Sequence, residues 1–246
     1  MKDILQDIVA HTHSLGFLTI VKVTAENDTV ITSMAEDRSV ILNAVTHNPV
    51  SDFNGIFGMP NLDKLNLHLK NPEYSENAKL EIVTAEKDGE TVPTHIHFEN
   101  ETGDFQNDYR FMDKGHIETK LQNVKFKGAT WNVEFTPSQS SINRMKLMSQ
   151  AHTEEPIFNV STEVTNGATD LVFSFGDVST HAGKFVFQNA VEGSLSHSWS
   201  WPVSQVQAIL NLSGDKTMKI SDQGAMTIVV DSGLAEYEYI LPAQSK

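Results

Sequence analysis

Histidines 95 and 97, in the string HIH, are the pair in this chain whose type and spacing invite a chemical reading. Two positions apart on an extended segment, they share one face and could offer imidazole nitrogens to a metal ion. No acid or third histidine follows at a spacing that completes a ligand set, so a solvent-facing or core pair is the expected reading. His11 and His13 fall on different faces of a helical segment. The phosphate cradle G-x-x-x-x-G-K-[ST], a G-x-G-x-x-G after a strand, the nucleophile elbow G-x-S-x-G and the zincin H-E-x-x-H are all missing. Asp and Glu number 32, too many for one pair to stand out as acid and base, and with no cysteine there is no thiolate nucleophile or ligand. We therefore expect no catalysis, no bound metal and no cofactor.

Cations and polar groups on helical faces offer a different chemistry, and the elements that position them are marked by proline. Its fixed φ and missing N–H suit the first turn of a helix. GIFGMPNLDKLNLHLK, WNVEFTPSQSSINRMKLMSQ and HSWSWPVSQVQAILNL each join a short aromatic, strand-like run through proline to apolar residues at helical spacing. A fourth helix opens the chain, with Ile4, Leu5, Ile8 and Val9 on one side. Strand-like runs follow every helix, among them FLTIVKVT, AKLEIVTAE, DLVFSFGD and AEYEYIL. The reading is an α+β chain of helix plus about three strands, repeated four times in architecture rather than in letters. Two repeats make a domain, which predicts a first domain over 1–112, a connector over 113–127 where lysines and glycines gather, and a second domain over 128–246.

Charge sharpens the reading. The 246 residues carry a formal charge of −14 with no acidic tail to account for it. The predicted helices, 1–14, 61–71, 138–152 and 202–214, hold five cations (Lys2, Lys64, Lys70, Arg144, Lys146) against three acids (Asp3, Asp7, Asp63). An acidic chain with acid-poor helices can present one basic surface to phosphates while repelling them elsewhere. Ordinary solvated helix faces with a chance shortage of acid fit the same count. Two Asp and two His interrupt the opening residues, which do not form the apolar core of a signal peptide. No run approaches the length of a membrane span, and the lack of cysteine suits a reducing compartment.

Several strings, in order along nearly the whole chain, resemble DNA sliding clamps, specifically the ring-forming processivity factors of T-even-type bacteriophages. SDFNGIFGMPNLDKLNLHL resembles the turn and strand that lead into the second helix of such clamps. ITSMAEDRSVILNAVT resembles their strand, Met-containing turn and strand, and GAMTIVVDSGLAEYEYILPAQSK resembles the last hairpin and aromatic-Leu-Pro tail of trimeric clamps. The resemblance implies a homotrimeric ring of two-domain subunits, with sheets outside and helices lining a hole that holds double-stranded DNA without base contacts. It implies Lys64, His68, Arg144 and Lys146 as DNA-facing residues, Ser204, Gln207 and Asn211 as polar lining, and Arg144 and Lys146 reaching round from the flanks of their helix. Lys120, Lys125 and Lys127 read equally well as a solvated connector or as further DNA contacts. A partner-peptide pocket would use Met34, Val40, Tyr239, Leu241 and Pro242, although Tyr239 and Leu241 equally fit the inner face of a strand. The implied partners are the replicative polymerase, an ATP-driven clamp loader and, in such phages, late-transcription factors, in the cytoplasm of an infected bacterium and without a membrane. The alternative is a non-catalytic β-rich structural or carbohydrate-binding module of a phage, with Trp199 and Trp201 as the sugar-stacking pair.

Overall fold

The structure, a computed structural model, describes residues 1–75, 77–87, 89–122, 126–177, 179 and 181–244. It is α+β, as the sequence predicts. Two compact units divide the chain: Met1–Lys125 with Ser232–Tyr237, and Phe126–Asp231 with Glu238–Lys246.

In the first unit, α1 (Lys2–His11) is followed by β1 (Val21–Ala25), β2 (Thr29–Met34), β3 (Ile41–Thr46) and β4 (Gly55–Met59). These strands are antiparallel in the order β4-β1-β2-β3. Then come α2 (Leu62–Lys70) and a second antiparallel sheet of β5 (Lys79–Lys87), β6 (Glu90–Glu99) and β7 (Gln106–Arg110). Strict alternation in β1 and β2 buries Val21, Val23 and Ile31, while Ile4, Leu5, Ile8 and Val9 of α1 and Leu62, Leu65 and Leu69 of α2 supply the helical side of the core. Helices α1 and α2 pack on one another.

The second unit repeats the plan. Strand β8 (Val133–Phe135) leads to α4 (Gln139–Ala151) and the sheet β11-β10-β9-β12, made of β9 (Ile157–Thr165), β10 (Ala168–Phe175), β11 (Gly183–Gln188) and β12 (Trp199–Pro202). Then α5 (Val203–Leu210) precedes β13 (Asp215–Ser221), which pairs with both β8 and β14 (Ala225–Asp231). Stacked Phe173 and Phe187, ring centroids 4.1 Å apart, and buried Phe158 fill the core, into which α5 turns Val206, Ile209 and Leu210.

Two details depart from the sequence reading. The prolines stand between strand and helix rather than in the first helical turn: Pro60 and Pro137 come just before the caps Asn61 and Ser138, and Pro202 ends β12 and is itself the cap of α5. A missing N–H stops a β ladder as readily as it suits a helix start. The predicted connector also contains a helix, α3 (Lys114–Lys120), with Asp113 accepting the His116 N–H at 3.0 Å. Its one buried side chain, Ile117, lies against Gly58, where an added Cβ would sit 2.8 Å from it. With a single anchor the segment has no apolar period to read. Lys125 lies outside the described residues. Among the described residues no helix is long and apolar enough to cross a membrane.

The strand β15 (Ala235–Pro242) starts in the first unit and ends in the second. Its return to the first unit is fixed by Asp7 of α1, whose Oδ2 accepts from Ser232 Oγ at 2.9 Å and Tyr237 Oη at 2.8 Å. His11 stacks on Tyr237 with centroids 4.2 Å apart and brings Nδ1 to 3.2 Å from Asp7. Burial raises the Asp7 carboxyl, but His11, Tyr237 and Ser232 outweigh it and hold the pKa below the ordinary carboxylate value. A depressed carboxylate stabilises above its unfolded pKa and loses that contribution as pH falls through the folded value. Tyr237→Phe should therefore cost about 2 kcal/mol at neutral pH. Asp7→Asn should flatten the fall in melting temperature on acidification below about pH 4. Calorimetry of both variants across an acid series checks the two outcomes.

Candidate nucleic-acid interface

Helices α2, α4 and α5, with the residue that ends α5, hold the side chains expected from the sequence to face DNA. On α2, Lys64 is exposed while Leu62, Leu65 and Leu69 anchor the opposite side. His68 turns partly inward, its ring 5.1 Å from Phe98 and 6.3 Å from Tyr74, and is half-buried. Burial, and then the Lys64 charge, push its pKa below the ordinary imidazole value, so it sits neutral near pH 7. Asn71 ends the helix and accepts the Glu73 N–H at 3.1 Å.

On α4, Ser138 caps the first turn by accepting the Ser141 N–H at 3.1 Å, and Ile142 and Met145 point to the core. Arg144 and Lys146 are exposed on a helix that holds no acid. Helix α5 carries no charge at all. Ser204 is exposed, Asn211 is exposed just beyond the helix end, and Gln207 is half-buried and receives a 2.8 Å hydrogen bond from Ser149 of α4. That bond ties the two helices together. Lys2 of α1 is used internally, its Nζ donating to Tyr74 O at 2.5 Å. Two exposed leucines escaped the sequence reading: Leu67 on α2, 68% exposed, and Leu147 on α4, 65% exposed.

The residues named for a partner pocket are dispersed in burial. Met34 is half-buried, Val40, Tyr239 and Leu241 are fully buried, and Pro242 is exposed. The Leu241 carbonyl accepts Trp201 Nε1 at 3.0 Å. Met34 lines a cavity of about 630 Å³ in the first unit, together with Pro60, Leu62, Met112 and Leu121. Met112 and Leu121 flank α3 and were invisible as pocket residues because their segment has no apolar period.

Solved structures share this architecture. A. fulgidus PCNA, solved with the C-terminal region of FEN-1 bound, superposes with a TM-score of 0.67 at 11% identity over 100% of this chain and 95% of its own. PCNA of Thermococcus kodakaraensis gives 0.66 at 10% identity, covering 98% and 97%. The chain has the fold of a PCNA-type sliding clamp. Proliferating cellular nuclear antigen of Entamoeba histolytica agrees, with a TM-score of 0.65 at 10% identity over 99% of this chain and 94% of that one. No family model and no curated protein matches the sequence.

Within this clamp fold the histidine pair has its own setting. Strand β7 lies beside β6 and brings Asp108 opposite His97, an acid that the sequence spacing did not reveal. Asp108 Oδ1 is 2.8 Å from His97 Nδ1 and 3.5 Å from His95 Nε2, and His97 Nε2 is 3.3 Å from Glu99. The Asp108 hydrogen bond, with Glu99, outweighs burial and raises the His97 pKa, whereas burial lowers that of His95. Among the described residues no group of three or more His, Cys, Asp or Glu side chains is arranged to hold a metal ion. Trp201, half of the sugar-stacking pair considered above, is fully buried, and Trp199 lies against Gly224.

A raised histidine stabilises below its unfolded pKa and loses that contribution as pH rises through the folded value. Asp108→Asn should bring the His97 titration down toward the ordinary value of about 6.5. It should also weaken the dependence of melting temperature on pH between about 6 and 8. Imidazole NMR titration of the wild type and variant measures the shift directly.

Proposed function

We propose that this chain is a non-catalytic sliding clamp, a homotrimeric ring that encircles duplex DNA and tethers a replicative polymerase for processive synthesis. The observation that carries the reading is the charge of α4 and α5. In a chain of formal charge −14 with the clamp fold, these two helices hold Arg144 and Lys146 and no acid. Diffuse positive charge attracts the phosphate backbone, while the absence of base-reading contacts leaves the ring free to slide. Lys64, Arg144 and Lys146 meet phosphates, and Ser204, Gln207 and Asn211 supply neutral polar contact. His68, held neutral, acts as a hydrogen-bonding group rather than a cation.

Strings in the sequence that resemble T-even-type phage clamps support a finer reading, in which an ATP-driven loader opens the ring and late-transcription factors share it, in the cytoplasm of an infected bacterium. The partner-peptide site is centred on the Met34 cavity, with Met112 and Leu121 beside it and Val40 buried nearby in sequence. Tyr239, Leu241 and Pro242 belong to the tail segment that the resemblance assigns to the same function. A. fulgidus PCNA was solved with the C-terminal region of FEN-1 bound.

Native mass spectrometry across a dilution series should find a species with the mass of three 27.3 kDa chains. Loaded protein should remain on closed circular DNA and leave when the circle is cut. A monomer at every concentration defeats the ring mechanism. In the same system, Met34→Lys should reduce polymerase stimulation about tenfold, or 1.4 kcal/mol of partner affinity, with the trimer intact. Full stimulation by that variant moves the partner site elsewhere.

A further inference from the structure

Helices α2 and α4 share a pattern beyond their basic residues. Each helix has two buried apolar anchors three positions apart, Leu62 and Leu65 on α2, which adds Leu69, and Ile142 and Met145 on α4. The residue before the second anchor is an exposed cation in both, Lys64 and Arg144. Three positions beyond each cation stands an exposed leucine, Leu67 at 68% and Leu147 at 65%. Residues three apart on a helix are neighbours on its surface, so each unit presents a cation beside an apolar side chain on its outward face. Isolated surface leucines are ordinary. The same cation-leucine pair at the same distance from the anchors in two units is a repeated device.

We propose that Leu67 and Leu147 are contact residues for the sugar–phosphate surface of duplex DNA, an inference that rests on the clamp reading above. The occupant follows from charge. Each leucine adjoins a cation, α4 holds no acid, and α2 holds only Asp63 against Lys64 and Lys70, whereas the whole chain is strongly acidic. A protein partner calls for a contiguous apolar patch. A nucleic-acid backbone alternates anionic oxygens with apolar sugar edges, which a cation and a leucine side by side can meet together. The leucine contact is non-directional and releases no counterion, so it holds the helix near the backbone without adding ion pairs that must break for the ring to move.

The test is binding of the full chain to a labelled linear duplex by fluorescence anisotropy over a salt series. Because both side chains are exposed, Leu67→Ala/Leu147→Ala and Leu67→Lys/Leu147→Lys should melt as the wild type does. The alanine variant should lose about tenfold in affinity at every salt concentration, with an unchanged slope of log affinity against log salt. The lysine variant should steepen that slope by about 0.9 for each lysine that reaches a phosphate. Unchanged affinity in the alanine variant overturns the proposal whatever the lysine variant does, since added charge acts at a distance. Absence of wild-type duplex binding at every salt concentration overturns the leucine proposal as well, whereas the ring reading stands or falls on retention on closed circular DNA.

Discussion

A helix of eight to thirteen residues is marginal in water, because its nucleation cost is spread over too few hydrogen bonds. Helices α1, α2, α4 and α5 all fall in that range, so each exists only by burying an apolar stripe on the structure around it. That requirement orders much of the rest. Leu62, Leu65 and Leu69 commit one side of α2 to the core, and Val203, Val206, Ile209 and Leu210 do the same for α5. Whatever remains on the opposite side is free to differ in chemistry, and in this acidic chain it is poor in acid. The helices that are least able to stand alone thus carry the surface on which the proposed function depends.

Much of this was legible in the sequence because periodicity is a local property. The strand-to-helix junctions at Pro60, Pro137 and Pro202, the buried stripes of α1, α2 and α5, and the alternation in AEYEYIL can be read within a dozen residues. What escaped depends on partners distant in sequence. Asp108 meets His97 only through the β6-β7 register. His68 is outward on a helical wheel but tilts onto Phe98, thirty residues along the chain. Helix α3 rests on one side chain, Ile117, and the space it fills exists because position 58 is glycine. Leu67 and Leu147 escaped for another reason: each stands outside the buried stripe of its helix, where apolar periodicity carries no signal.

The distribution of charge also separates attraction from retention. Phosphate contacts alone would hold DNA in proportion to the number of ion pairs and weaken steeply with salt. The outward faces of α4 and α5 offer few cations and several neutral polar groups, with Gln207 already restrained by Ser149. Such a surface attracts a polyanion without gripping it at fixed points. In the proposed ring, retention would then come from closure, a topological constraint independent of the strength of any one contact.

The return of Ser232–Tyr237 to the unit that holds α1 has a consequence for synthesis. Tyr237 and Asp7 are separated by 230 positions, yet they share a hydrogen bond. As a ribosome makes the chain in order, the unit that emerges first lacks its last strand segment until residues 232–237 have been made, and Asp7 waits without two of its donors. The first unit is begun first but stays open until residues 126–231 of the second have been made. Such long-range closure slows folding, because the entropy of closing so long a loop is spent before the contacts that reward it can form.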